Sequence, residues 1–138
     1  GPLAHSVKKA GPAVEPLGAI SSSAVQERMT RSTALVIPSI CYEGFPMVLV
    51  EAYACGLPVI ASRIGALAEL VEDGVTGLLF EPGDAKDLAE KLEWASHHPQ
   101  KMAEMGVAAR ARYLERYTPG KNYEQLMLIY RAAIEAAD

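Results

Sequence analysis

Two acidic residues stand out by type and position. Glu43 and Glu51 have seven residues between them, and Glu51 is the only charge between Glu43 and Arg63. They belong to the segment Pro38-Ser39-Ile40-Cys41-Tyr42-Glu43-Gly44-Phe45-Pro46-Met47-Val48-Leu49-Val50-Glu51. The apolar run before it reads as a buried strand, and Pro46 reads as the first residue of a helix that stops at Gly56. The first turn of a helix leaves backbone N–H groups without intrahelical acceptors. Pro46 has no N–H to offer, so the donors are Met47, Val48 and Leu49. With the helix dipole they form an anion site suited to a diphosphate. Gly44 lets the backbone approach a ligand closely or take a positive φ.

Glu51 falls about one and a half turns into that helix. Its helical neighbours Met47, Val48 and Cys55 are apolar, which predicts a buried carboxylate in need of a partner. With phosphates at the helix start, a ribose diol can be that partner, as in other nucleotide folds. Glu43 precedes the helix, at the mouth of the cleft. A carboxylate there can hold hexose hydroxyls or stabilise a cationic, sugar-like transition state. Each residue also has a plain reading. Glu43 can be a solvated turn residue, and Glu51 an ion-pair partner or a backbone cap.

The elements that must position these groups alternate between short apolar runs and helical runs. Residues 14–18 form a weak strand candidate. Ser21 to Ser23 offer N-cap hydroxyls for a helix reaching Met29, with Val25 and Met29 on one face. Residues 33–38, 57–62 and 77–81 are continuous apolar runs of the kind buried on both faces of a parallel sheet. A short helix over 66–71 ends at the Asp73-Gly74 turn. Asp84 caps a helix carrying Leu88, Leu92 and Ala95. Pro99 and Pro119 start two more, the last with Tyr123, Leu126, Met127, Tyr130 and Ile134 on one stripe. This order implies an α/β fold, a Rossmann-like parallel sheet with flanking helices and right-handed crossovers. The segment 38–51 then emerges at the carboxyl end of the sheet, where such folds bind ligands.

Composition narrows the function classes. The 138 residues carry 13 basic and 17 acidic side chains, a net charge of -4. Through Glu69 the count is five of each, so the imbalance lies in the second half. No basic stripe exists to bind a phosphate backbone, which argues against nucleic acid. Cys41 and Cys55 are too few for a disulfide framework and lack zinc-site spacing. Cys55 reads as a core residue, and a reducing, cytoplasmic compartment is the default. The stretch 44–62 contains Glu51, Gly56 and two prolines, so it is no membrane span. His97 and His98 precede Pro99 and read as a solvated linker, with no acidic or cysteine partner at ligand spacing. Trp94, Tyr113, Tyr117, Tyr123 and Tyr130 read as packing or surface residues.

At these residues the chain resembles the retaining GT-B glycosyltransferases of the group 1 type (family 4), whose mark is an E-x7-E motif. The similarity extends through Glu43-Gly44-Phe45-Pro46, Leu49-Val50-Glu51-Ala52, and Ala54-Cys55-Gly56-Leu57-Pro58-Val59-Ile60-Ala61-Ser62. It continues through Glu72-Asp73-Gly74-Val75-Thr76-Gly77-Leu78-Leu79-Phe80-Glu81-Pro82-Gly83-Asp84. The one mild departure is Gly65-Ala66 where the family has Gly-Gly, which leaves Glu69 in a structural role.

The resemblance implies the C-terminal, nucleotide-sugar-binding domain of such an enzyme over residues 1–138, with C-terminal helices over 84–137. It implies transfer of a hexose from a UDP-, GDP- or ADP-type donor to a glycan or lipid acceptor, with no cofactor and no bound catalytic metal. Glu43 then acts on the donor sugar with the Gly44 and Phe45 amides, Met47 and Val48 amides meet the diphosphate, and Glu51 binds the ribose. Gly18 to Ile20 lie near the base. The acceptor-binding domain, the domain's first two strands and their basic diphosphate residues are expected outside this sequence, so residues 14–18 lack strand partners. Acceptor recognition, and any peripheral membrane association, belong to the absent part. Two other readings stay open: a non-catalytic nucleotide-sugar-binding module, and an oligomeric scaffold self-associating through the exposed sheet edge.

Overall fold

A computed structural model describes residues 11, 13–42 and 44–136 of the chain. Glu43 lies outside the described residues, as do the Gly1-Pro2-Leu3 start and the last two residues. Three of the apolar runs form strands: β1 (Leu35–Ile37), β2 (Val59–Ser62) and β3 (Gly77–Phe80). They make one parallel sheet in the order β1-β2-β3, with Leu35 beside Val59 and Val59 beside Gly77. All residues of β2 and β3 are buried, as continuous apolar runs demand.

Side chains alternate between the two faces of the sheet. Leu35, Ile37, Val59, Ala61 and Leu79 join one core, and Val36, Ile60, Leu78 and Phe80 join the other. The first core is covered by α1 (Ser22–Arg31), α2 (Met47–Ala54) and α3 (Gly65–Leu70). The second is covered by α4 (Ala85–His97) and α5 (Pro99–Arg116), through Trp94, Ala95, Met102 and Met105. Farther along α5, Ala109 and Tyr113 reach the first core. This is the Rossmann-like α/β layering expected from the sequence.

Caps follow the sequence closely. Ser21 accepts from the Ala24 N–H at 3.3 Å. Asp84 Oδ1 accepts from the N–H groups of Lys86 and Asp87 at 2.9 and 3.0 Å. Pro99 and Pro119 open α5 and α6 (Pro119–Glu135) at the first turn, where their missing N–H costs nothing. His97 and His98 are exposed, and the His98 ring stacks on Trp94 at 4.3 Å.

Two expectations are corrected, those for residues 14–18 and for Pro46, and the α6 stripe, whose tyrosines read as packing or surface, lies at the surface. Residues 14–18 form no strand, and Val14 and Leu17 are exposed. An extended segment without a partner has nowhere to place its backbone hydrogen bonds except water. The apolar stripe of α6 is not core: Tyr123, Leu126, Tyr130 and Ile134 are exposed and no α6 residue is buried. Amphipathic spacing predicts a face, but not that the described residues cover it. Pro46 is the N-cap of α2 rather than its first residue, with φ -78° and ψ 93°, an extended conformation proline holds readily.

Candidate functional site

Helix α2 starts at the carboxyl end of β1 and is fixed along its buried side and at its far end. Leu49, Val50, Ala52 and Tyr53 are its buried side. The Tyr53 hydroxyl donates to Thr76 Oγ1 at 2.7 Å and lies 3.3 Å from the Leu70 carbonyl. Thr76 Oγ1 also accepts from the Glu72 N–H at 2.9 Å. Burial pushes the Tyr53 phenol above its ordinary value of 10.0 despite the Thr76 hydrogen bond, so the hydroxyl stays a donor. At the C-terminus, Gly56 takes φ +68°. Its N–H donates to the Tyr53 carbonyl at 3.0 Å, and the Leu57 N–H donates to the Ala52 carbonyl at 2.9 Å. That is a Schellman ending, and it needs a glycine. Gly106 of α5 presses against the Gly56 carbonyl, leaving no room for a Cβ. Arg110, four residues on, donates to the Ala54 carbonyl.

The opposite side of α2 is bare. Met47 is 61% exposed, Val48 is 36% exposed, and Glu51 beside them is exposed too. The expectation of a buried Glu51 is therefore corrected. Its apolar helical neighbours are themselves in solvent, because the helix turns its other side to the sheet. Glu51 has no ion-pair or hydrogen-bond partner of its side chain among the described residues. Leu49 is also removed from the free donors, since its N–H donates to the Pro46 carbonyl at 3.0 Å. Among the described residues the Met47 and Val48 N–H groups have no backbone acceptor. The helix start thus presents two free amides, with a carboxylate one turn farther along the same bare face.

The loop entering α2 is apolar and open: Ile40 is 71% exposed and Tyr42 82%. Gly44 does not take positive φ, so of its two expected uses close approach remains, and a Cβ there would meet nothing within 4 Å. Phe45 sets its ring edge-on to Tyr117, with centroids 6.2 Å apart. A cleft of about 350 Å³ runs beside it, lined by Phe45, Met47, Val50, Arg116, Tyr117, Asn122 and Gln125. Gly18 and Ile20 are exposed, and no hydrogen bond links them to α2 or its loop among the described residues. Glu69, expected as a structural residue, is exposed on α3. Cys41 is exposed and Cys55 half-buried against the core, both as free thiols. Among the described residues no cluster of three or more His, Cys, Asp or Glu can hold a metal ion, and no helix is long and apolar enough to cross a membrane.

The sequence reading missed the residues that hold α2 in place. Tyr53 carried a signal, a polar-tipped aromatic inside an apolar helix. Arg110 and Tyr117 carried none, because their partners lie far away in sequence.

The family model described as "Glycosyl transferases group 1" matches residues 4–112. The chain belongs to the group 1 glycosyltransferases. The match contains the whole sheet and α2, and it ends inside α5. Among curated relatives, sucrose synthase of Acidithiobacillus caldus is 43% identical over 94 residues, 65% of this chain and 12% of the relative. Alpha-maltose-1-phosphate synthase of Mycolicibacterium smegmatis is 38% identical over 114 residues, 78% of this chain and 29% of the relative. Sucrose-phosphate synthase of Thermosynechococcus elongatus superposes with a TM-score of 0.85 at 31% identity, covering 96% of this chain and 33% of that one. Anabaena HepE, crystallised with UDP-glucose, superposes with a TM-score of 0.84 at 28% identity, covering 95% of this chain and 36% of that one. This group 1 chain therefore spans about a third or less of those relatives.

Proposed function

We propose that the chain is the donor-binding part of a retaining glycosyltransferase that moves a hexose from a nucleotide-diphosphate sugar to a glycan or lipid acceptor. The observation that carries this reading is the bare face of α2. Two free amides at a helix N-terminus attract a diphosphate, and Glu51 stands one turn away, where a ribose would follow. Family membership and the UDP-glucose complex of HepE support the donor class.

In this reading Met47 and Val48 amides hold the diphosphate and Glu51 accepts hydrogen bonds from the ribose hydroxyls. The hexose falls at the loop before the helix, against the Gly44 and Phe45 amides. Glu43, next to Gly44 in the chain, holds sugar hydroxyls and balances the positive charge that develops at the anomeric carbon. The acceptor attacks on the face from which the diphosphate leaves, which keeps the anomeric configuration without a covalent nucleophile. No cofactor and no resident metal enter the scheme. The acceptor is bound by the domain that relatives carry beyond this region, and the full protein works in the cytoplasm, where both free thiols stay reduced.

The test is a transfer assay on the full-length gene product with UDP-, GDP- and ADP-hexoses, followed by the anomeric configuration of the product. Transfer with retained configuration is expected. Nucleotide-sugar binding without transfer would support a non-catalytic binding module instead.

A further inference from the structure

Tyr123, Leu126, Leu128, Ile129, Tyr130 and Ile134 of α6 are all exposed, and no residue of that helix is buried. An apolar patch of this kind on a folded chain marks an interaction surface. Apolar area alone does not name the partner. The charges set among it do.

One side of α6 carries a groove of about 380 Å³, lined by Tyr123, Glu124, Met127, Leu128 and Arg131. Glu124 and Arg131 are about two helical turns apart, with Met127 and Leu128 midway between them. The groove therefore has an acid at one end, a base at the other and an apolar middle. Such a surface is its own complement. When a second α6 lies antiparallel about a two-fold axis at Met127 and Leu128, each Glu124 meets the other copy's Arg131. A parallel pairing would set Glu124 beside Glu124 and Arg131 beside Arg131, so the charges also choose the direction. Both ends can accept this pairing. Arg131 is exposed and has no ion-pair partner among the described residues. Glu124 holds Lys121 through Oε2 at 3.0 Å, which leaves Oε1 for a second cation.

The groove also faces away from the site on α2. Asn122 and Gln125 line the cleft beside Phe45 and Met47, and helical geometry sets them across α6 from the groove. Pairing through the groove leaves that cleft open.

We propose that the α6 groove is an interface between two copies of this chain, with the helices antiparallel and two Glu124–Arg131 ion pairs across the axis. The proposal is independent of the donor-binding reading. It also differs from self-association through the sheet edge, because it uses no backbone of β1.

Sedimentation velocity on the chain tests it. A single helix pair is smaller than a standard interface of about 800 Å² per partner, so the dimer is expected to be weak, with a Kd of about 10–100 μM. Glu124→Arg and Arg131→Glu each set like charges together twice, and each is expected to weaken dimerisation about tenfold or more. The combined variant, Glu124→Arg with Arg131→Glu, exchanges the two signs and is expected to dimerise within about threefold of the unsubstituted chain. Both positions are exposed, so the variants should keep the fold, which circular dichroism checks. A chain that stays monomeric up to about 500 μM overturns the proposal and leaves the face to another partner. A dimer indifferent to all three variants overturns it as well, since it is then held elsewhere, as at the sheet edge. Loss in the single variants without recovery in the combined one overturns the antiparallel pairing.

Discussion

Arg110 of α5 donates a hydrogen bond to the carbonyl of Ala54, the last residue of α2. The helix that offers free amides at its start is thereby capped at its end by a cation, which also complements the helix dipole. The same guanidinium lies 5.2 Å from the centre of the Tyr113 ring. Arg110→Ala should cost about 1 kcal/mol, the range of one hydrogen bond at an exposed position. Arg110→Met, which keeps the stem, should recover little of it. Urea denaturation with the midpoint compared at constant slope measures the difference.

Tyr53 joins α2 to the turn before β3 through Thr76. Tyr53→Phe should destabilise by about 1–2 kcal/mol, because a buried hydrogen bond is lost and no new one replaces it. The pH dependence has a definite sign. The folded phenol titrates above 10.0 because it is desolvated, so folding favours its protonated form. Its contribution is complete below pH 10.0 and is lost as pH rises through the higher folded value. Unfolding followed from pH 8 to 11 should therefore show a steeper alkaline loss in the unsubstituted chain than in Tyr53→Phe.

Phe45 and Tyr117 share an edge contact beside the loop assigned to the sugar. Phe45→Ala and Tyr117→Ala should each weaken UDP-glucose binding more than UDP binding. The expected difference is about fivefold, since one aromatic pair is worth about 1 kcal/mol. Titration of both ligands against each variant measures it. Equal losses for the two ligands would place the contact on the nucleotide side.

Much of the architecture was legible because it follows from local chemistry. Continuous apolar runs at 33–38, 57–62 and 77–81 are of strand length and bounded by turn residues, and Asp84, Pro99, Gly56 and Ser21 punctuate helices by their own geometry. The helix N-terminus after β1 was legible for the same reason. What depends on tertiary packing was not. Glu51 looked buried because Met47 and Val48 are apolar, yet the side of α2 that meets the sheet is the one carrying Leu49, Val50, Ala52 and Tyr53. Residues 14–18 are weak strand material, with Glu15, Pro16 and Gly18 in five residues, and a strand exists only when another pairs with it. The α6 stripe has the pattern of a packed face and stands exposed.

The central claim is that Glu51 stands bare in order to grip a ribose. Because the residue is exposed and its side chain has no partner among the described residues, Glu51→Gln should change stability by less than about 0.5 kcal/mol. Any loss of binding then belongs to the ligand contact. Calorimetric titration of UDP into the unsubstituted chain and into Glu51→Gln tests this most directly. The account predicts binding by the first and a loss of about tenfold or more in the second, the range for a hydrogen bond to a charged group. Equal UDP affinity in the two proteins would contradict it.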